Sequence, residues 1–415
     1  MLTSLKMPTS DLEVGMFVSA LDRPWLDTPF MIQGFRIETR AQIESLREHC
    51  EYVFIDTRQS RQRVAPVRKA ASHRRQPLEQ IFRDRRLQSY NDEAAFDKEQ
   101  PRAAAALEAL SSDMAAIYDS AAREGRVDPI RLRKAVEPLI DSVSRNPDAC
   151  LWMARLKHHD EASYGQSLSA GIWSVALGRE LGMSRQDLRS MAMGGMLMDI
   201  GKLHVDAEIL RRPEPLDTDA AALMQAHVQH GLRIIENSGI INPDVINMVA
   251  HHHERWDGSG YPGRLKAEQI PAVGQMAAIV DTYSALTSPR HYASAQSPSS
   301  AIRTLYEARN TDFQAELVEA FIRAVGVYPA GTLVELSSGE VAVVVSEYRV
   351  RRLRPRVLAL LNTHKEPLSS PRPVDLHDNG KARREPPPSI LRSLEPGAYG
   401  IDLESLSRYS GFAAA

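Results

Sequence analysis

Two adjacent histidines, His252 and His253, end an apolar helical stripe at a glycine-rich turn in the stretch VAHHHERWDGSGYPG, Val249 to Gly263. Val245, Met248 and Val249 run at helical spacing onto His252, and His253 follows Val249 by one turn, so both imidazoles are expected to face the interior. A lone histidine on an apolar face is ordinarily a satisfied core residue, whereas two side by side point to a bound metal or phosphate. His227 repeats the pattern, because Leu223, Gly231 and Ile234 place it on a buried helical face. Asp199 closes the apolar run MAMGGMLMD, Lys202 stands one turn later, and Asp281 interrupts MAAIVDTYSAL. A carboxylate in such a stretch is costly to bury unless a cation or hydrogen-bond donors offset the loss of water. Taken singly, each is explained as a capped or ion-paired acid. Together, on helices of one bundle, they suggest a carboxylate–imidazole metal site.

The elements that must position these residues are mostly helical. Between Asp160 and Val327 the periodicity predicts at least five amphipathic helices, with an N-cap box at Ser184 and Asp187 and first-turn prolines at Pro243 and Pro271. Upstream, Pro101 to about Lys157 also reads as helix, broken near Asp128 and Pro129. Residues 11–57 read as a compact α+β unit, with strand patterns in VGMFVSAL and EYVFIDT around a helix from Thr39 to Cys50. From Arg58 to Arg86 the chain is basic and broken by prolines, which predicts a solvated linker, or otherwise a contact for phosphates or an acidic partner. TLVELSS and EVAVVVSEY alternate across a turn at Ser338 and Gly339, and RVLALLN offers a third strand. Past Lys365 the density of Pro, Ser and Gly predicts disorder. The expected order is a small α+β domain over 1–60, a basic linker over 61–100, a helical connector over 101–157, the bundle over 158–328, a small β-appendage over 329–365 and a disordered tail over 366–415.

Composition narrows the function classes. With 51 Lys and Arg against 53 Asp and Glu, net charge -2, the chain has no global basic field to attract nucleic acid. Two cysteines, Cys50 and Cys150, can build neither a disulfide framework nor a thiolate cage. There is no apolar run long enough to span a bilayer and no signal-like apolar core in MLTSLKMPTSDLEVGMF, so a cytoplasmic location is expected.

The segment HHERWDGSGYPG, with MDIGKLHV before it and VDTYSALTSPRHY after it, resembles the HD-GYP subgroup of the HD phosphohydrolase superfamily over roughly Asp160 to Tyr328. Residues 1–60 are similar to the small domain of unknown function that often precedes it. The resemblance implies a mainly α protein, an HD-type helical bundle with a small N-terminal α+β unit and a small C-terminal β-appendage. It also implies hydrolysis of the bacterial second messenger cyclic di-GMP at a binuclear iron or manganese centre. Carried over position by position, Asp199 is the bridging ligand and Lys202 the catalytic lysine. His227, His252, His253 and Asp281 are metal ligands, and Tyr261 and Arg290 contact guanine. Gln166 and Met198 stand where the family has histidines, and Ala293 replaces a base-holding lysine. An amide or a thioether is a weak donor for Fe(II) or Mn(II). One tight metal is therefore expected, from Asp199, His227, His252 and His253, and a second that is weak or absent. A different reading stays open at this stage: a catalytically inactive module that senses cyclic di-GMP or docks diguanylate cyclases.

Overall fold

The computed structural model describes the chain except residues 1–3, 24–27, 29, 31–33, 57–59, 61–75, 157–164, 213, 215–216, 289–294, 349–352, 378–386, 404 and 407–415. It divides into two compact units, Met1–Arg74 and Arg75–Ala415.

In the first unit, strands β1 (Ser4–Pro8), β2 (Phe17–Leu21), β3 (Phe35–Arg36) and β4 (Tyr52–Asp56) form an antiparallel sheet in the order β1-β4-β2-β3. Helix α1 (Arg40–His49) starts at Thr39, whose hydroxyl and the Gln42 side chain close a reciprocal capping box. Ile43 and Leu46 on α1 are buried, as are the alternating Val53 and Ile55 of β4, which is the period-2 pattern visible in EYVFIDT.

The second unit begins with a short helix α2 (Leu78–Ile81), followed by α3 (Phe96–Glu124), α4 (Pro129–Arg145) and α5 (Pro147–Leu156). The central bundle adds α6 (Gly165–Glu180), α7 (Arg185–Leu197), α8 (Ala207–Arg211), α9 (Thr218–Gln225), α10 (His227–Asn237), α11 (Pro243–His251), α12 (Ala272–Thr287), α13 (Pro298–Glu307) and α14 (Ala315–Val325). A 3-10 turn at Ile200–His204 follows α7. Ser184 and Asp187 form the expected capping box of α7, and Pro243 is the first residue of α11. Pro271 stands one position earlier than expected, at the N-cap of α12. Among the described residues no helix is long and apolar enough to cross a membrane.

Three expectations need correcting. Helix α3 starts at Phe96 and carries Pro101 inside it, because the buried face from Phe96 to Ala121 outweighs one lost backbone bond. Much of the basic stretch, 61–75, lies outside the described residues, but its continuation is no solvated linker. Arg85 ion-pairs Asp187 and Asp244, Gln88 donates its backbone N–H to Gly182 at 2.7 Å, and Arg179 pairs Asp92 at 2.8 Å.

The region beyond residue 365 is likewise structured where described. Strands β5 (Leu333–Leu336), β6 (Val341–Ser346), β7 (Arg356–Leu361), β8 (Pro367–Asp375) and β9 (Ile390–Leu394) form an antiparallel sheet in the order β8-β7-β6-β5-β9. Both late strands are edges, where Pro367, Pro371 and Pro373 need donate nothing to a neighbour.

Candidate metal centre

Helix α7 delivers Asp199 to the site. Its C-terminus passes into the 3-10 turn, and Gly201 in that turn lies so close to α10 that a Cβ there would meet the His227 carbonyl oxygen at 1.9 Å and the Gly231 nitrogen at 2.4 Å. Glycine at this point is what lets Asp199 and His227 sit side by side. The end of α11 supplies His252, its cap residue and still in helical backbone, and His253 directly after it.

The result is one cluster in which ligand atoms from Asp199, His227, His252 and His253 all lie within 4.8 Å of one another. His227 and His252 are fully buried and Asp199 is 8% exposed. His227 Nδ1 lies 2.7 Å from the Met224 carbonyl and His252 Nδ1 3.0 Å from that of Val249. These carbonyls can only accept, so each ring carries its proton on Nδ1 and turns a bare Nε2 inward. The two Nε2 atoms are 3.1 Å apart, and 3.5 and 3.6 Å from Asp199 Oδ1. Among the described residues, Asp199 Oδ1 has no hydrogen-bond partner, and it is buried. Three lone-pair donors converge with no proton between them, an arrangement that fits a cation and is otherwise repulsive.

The charges agree. Although burial raises the pKa of Asp199, the Lys202 ammonium, 2.7 Å from Oδ2, holds the carboxyl well below its usual range. Burial pushes His227 down to about 4 and His253 well below the ordinary histidine value, so both are neutral at pH 7 and available as donors.

Asp281, on α12 and 6% exposed, meets the cluster through His253, its Oδ2 lying 3.7 Å from His253 Nδ1. Burial and the negative charge of Asp199 raise its pKa. The Tyr261 ring stacks on His253, centroids 4.6 Å apart and planes at 25°. Met198 caps α7 and is buried. Gln166 is the second residue of α6, and its buried Nε2 has no hydrogen-bond partner among the described residues. Arg290 and Ala293 lie outside the described residues. Of the spare imidazoles, His251 is hydrogen-bonded to the Asn247 carbonyl at 2.9 Å, and His204 is exposed, its ring stacked on His230.

Three further residues, Glu254, Gly260 and Tyr118, serve the site. Glu254, 1% exposed, accepts the Gly263 and Leu265 N–H groups at 2.6 and 2.9 Å and thereby holds the loop that carries Tyr261. Gly260 completes that loop: a Cβ there would come within 2.4 Å of the Arg255 nitrogen and the His253 oxygen. Tyr118 of α3 reaches Ser167 Oγ at 2.6 Å and the Met196 carbonyl at 3.0 Å, bridging α6 to the end of α7. The clue to Tyr118 was its place in the buried stripe Leu110, Met114, Ile117; nothing marked Glu254 beyond its position after the histidines.

A buried Asp–His cluster on a helical bundle, with a lysine on the aspartate, defines the HD-domain class, and a family model described as HD domain matches residues 150–317. A second model, described as a domain of unknown function (DUF3391), matches residues 4–131. The cyclic di-GMP phosphodiesterase PA4108 of Pseudomonas aeruginosa is 33% identical over 394 residues, 91% of this chain and 90% of that protein. A cyclic di-GMP phosphodiesterase of Thermotoga maritima is 31% identical over 40% of this chain and 46% of its own. The cyclic di-GMP phosphodiesterase response regulator RpfG of Xanthomonas campestris is 34% identical over 35% of this chain and 38% of its own. The chain belongs to the HD-GYP family.

Proposed function

We propose that this chain is a metal-dependent phosphohydrolase that opens a phosphodiester bond of cyclic di-GMP. The observation that carries the reading is the convergence of His227 Nε2, His252 Nε2 and the unpartnered Asp199 Oδ1 in a buried pocket. Full-length similarity to a protein named as a phosphodiesterase supports it, and makes a pure cyclic di-GMP sensor or a dock for diguanylate cyclases the less favoured alternative.

Asp199, His227, His252 and His253 would hold a divalent ion, iron or manganese, with Asp281 beside His253. Such an ion, when bound, acidifies water and offsets charge on a phosphoryl oxygen. The chain's own part is positional. Lys202, 30% exposed at the side chain, fixes Asp199 through Oδ2 and offers a cation to phosphate from the same place. Tyr261 presents a flat ring beside His253 for a guanine base, and Arg290 is assigned to base contact by family resemblance. The Met224 and Val249 carbonyls keep His227 and His252 in the donor tautomer. Because Gln166 and Met198 replace imidazoles, one ion binds tightly and the second weakly or not at all.

Anaerobic purification followed by elemental analysis tests this, with cyclic di-GMP consumption followed by chromatography. The expected result is about one tightly held iron or manganese per chain and measurable hydrolysis. A chain that neither retains metal nor consumes cyclic di-GMP when supplied with Fe(II) or Mn(II) would sink the proposal.

A further inference from the structure

Helices α7 and α11 meet at both ends. Their C-terminal ends supply Asp199 and His252, whose ligand atoms are 3.6 Å apart. Their N-terminal ends carry Asp187 and Asp244, and one guanidinium, that of Arg85, bonds both: Nη1 to Asp187 Oδ1, and Nη2 to Asp244 Oδ1 at 2.5 Å. The two helices are therefore parallel, joined at one end by an ion-paired arginine and at the other by the metal-ligating cluster. Between these ends Met248 of α11 packs on Gly194 of α7, and Asn242 Nδ2 donates to Ser190 Oγ at 3.0 Å.

Parallel neighbours set like ends of their dipoles side by side, and both N-termini here bear a carboxylate. Asp187 is committed to its own helix as well, its Oδ2 accepting from Ser184 N at 3.1 Å and Ser184 Oγ at 2.7 Å. Asp244 is the second residue of α11, where Asn242 caps the backbone. Without the guanidinium the two acids repel across the gap. Arg85 lies in the stretch that leads from the first unit into the bundle, held there by Gln88 on Gly182 and by Tyr90 Oη on the Met183 carbonyl at 2.8 Å. From Asp187 to Leu197 the helix spans about 15 Å, with Asp199 two residues beyond its end, so a small splay at the N-termini is carried to the ligand end by rigid backbone. Ligand sets tolerate only about 0.5 Å of misplacement.

We propose that Arg85 is a positioning residue for the metal centre: by tying Asp187 to Asp244 it sets the spacing of α7 and α11 and hence of Asp199 from His252. The inference rests on the reading of the site as a metal centre. It makes the connector stretch, far from the chemistry, a lever on metal affinity.

The test is Mn(II) binding by the full-length, metal-stripped chain, read from the electron paramagnetic resonance signal of the free ion. Arg85→Gln should weaken binding about fivefold, within the range that packed networks transmit. Arg85→Lys, which keeps the charge but loses the planar fork, should fall between. Adding Asp244→Asn to Arg85→Gln removes the repulsion and should recover most of the affinity, a rescue that a merely structural loss would not show. Arg323→Gln breaks a similarly half-buried pair with Glu180, between α14 and α6, neither of which carries a cluster ligand, and should leave affinity unchanged even if it lowers thermal stability. Tight Mn(II) binding left unaltered by Arg85→Gln overturns this inference and spares the reading of the site. Failure of the unaltered chain to bind Mn(II) at all overturns both. If Arg85→Gln weakens binding and Asp244→Asn gives no rescue, the positioning argument is wrong.

Discussion

The two oxygens of Asp199 meet different surroundings: Oδ2 receives Lys202, whereas Oδ1 has no hydrogen-bond partner among the described residues and faces the Nε2 atoms of His227 and His252. On the proposed reading, one ion's donor set is complete, and a second ion would depend on the positions held by Met198 and Gln166. Replacing both by histidine, Gln166→His with Met198→His, should add the missing donors for a second ion. Each change alone should do little, since a single added imidazole still leaves a poor donor set. The double variant is expected to hold a second metal equivalent and to raise cyclic di-GMP hydrolysis by at least about tenfold, roughly 1.4 kcal/mol of barrier. An unaltered chain already as fast as the double variant would show that Met198 and Gln166 do not limit the site. His252→Ala, which removes a central donor, should release the ion, as elemental analysis after dialysis will show.

Elements, more than single residues, determine how well the site is held, and two contacts between them can be tested. The Glu99 carboxylate of α3 is fully buried and receives Ser142 Oγ at 2.7 Å and Arg145 Nη2 at 2.7 Å from α4. Burial alone would raise its pKa, but Arg145, Ser142 and Arg102 together hold it below the usual 4.5. A depressed carboxylate stabilises the fold at pH values above the unfolded pKa, and that contribution is lost as pH falls through the folded one. Glu99→Ala should cost roughly 3 kcal/mol at pH 7, and the gap between variant and parent in urea denaturation should narrow below about pH 4.5. A gap independent of pH would show that Glu99 acts through packing alone. In the loop after α11, Glu254→Gln forfeits one of two charge-assisted backbone bonds. Its effect should appear as roughly a tenfold rise in KM with a smaller change in kcat, because it loosens Tyr261 more than the ligands. The ligand-bearing helices were legible in the sequence because helical spacing puts His252, His253 and His227 on stripes with Val249 and Ile234. The roles of Glu254 and Arg85 were not, and for Tyr118 only its burial was, since such roles come from partners elsewhere in the chain, and no local pattern encodes a partner 102 residues away, as Asp187 is from Arg85. Strand β8 was hidden for a related reason: proline density reads as disorder unless the strand is known to be an edge.

At the scale of the whole chain, the question is where it can be cut. The match to the domain of unknown function runs to residue 131, whereas the first compact unit ends at Arg74. The two boundaries predict different behaviour, because α3 lies between them. Its Leu107, Leu110, Met114 and Ile117 are 0–2% exposed, and it packs on α4, on α5 and on the turn that follows Asp199. Losing four such side chains forfeits about 1.5–3 kcal/mol each, about 6–12 kcal/mol in all, which is comparable to the roughly 5–15 kcal/mol that holds a whole domain folded. A fragment beginning at residue 132 should therefore fail to fold, or collapse into aggregates, and retain no metal, even though it contains every residue of the cluster. A fragment beginning at residue 75 keeps α3, Tyr118 and Arg85 with its partners Asp187 and Asp244, so it should melt in one cooperative transition by calorimetry and bind Mn(II) like the full chain. If the fragment from 132 folds and binds metal equally well, α3 belongs with the first unit and the division at Arg74 is wrong. If the fragment from 75 folds but loses the ion, the first unit contributes to the site in a way that the contacts within the second unit do not account for.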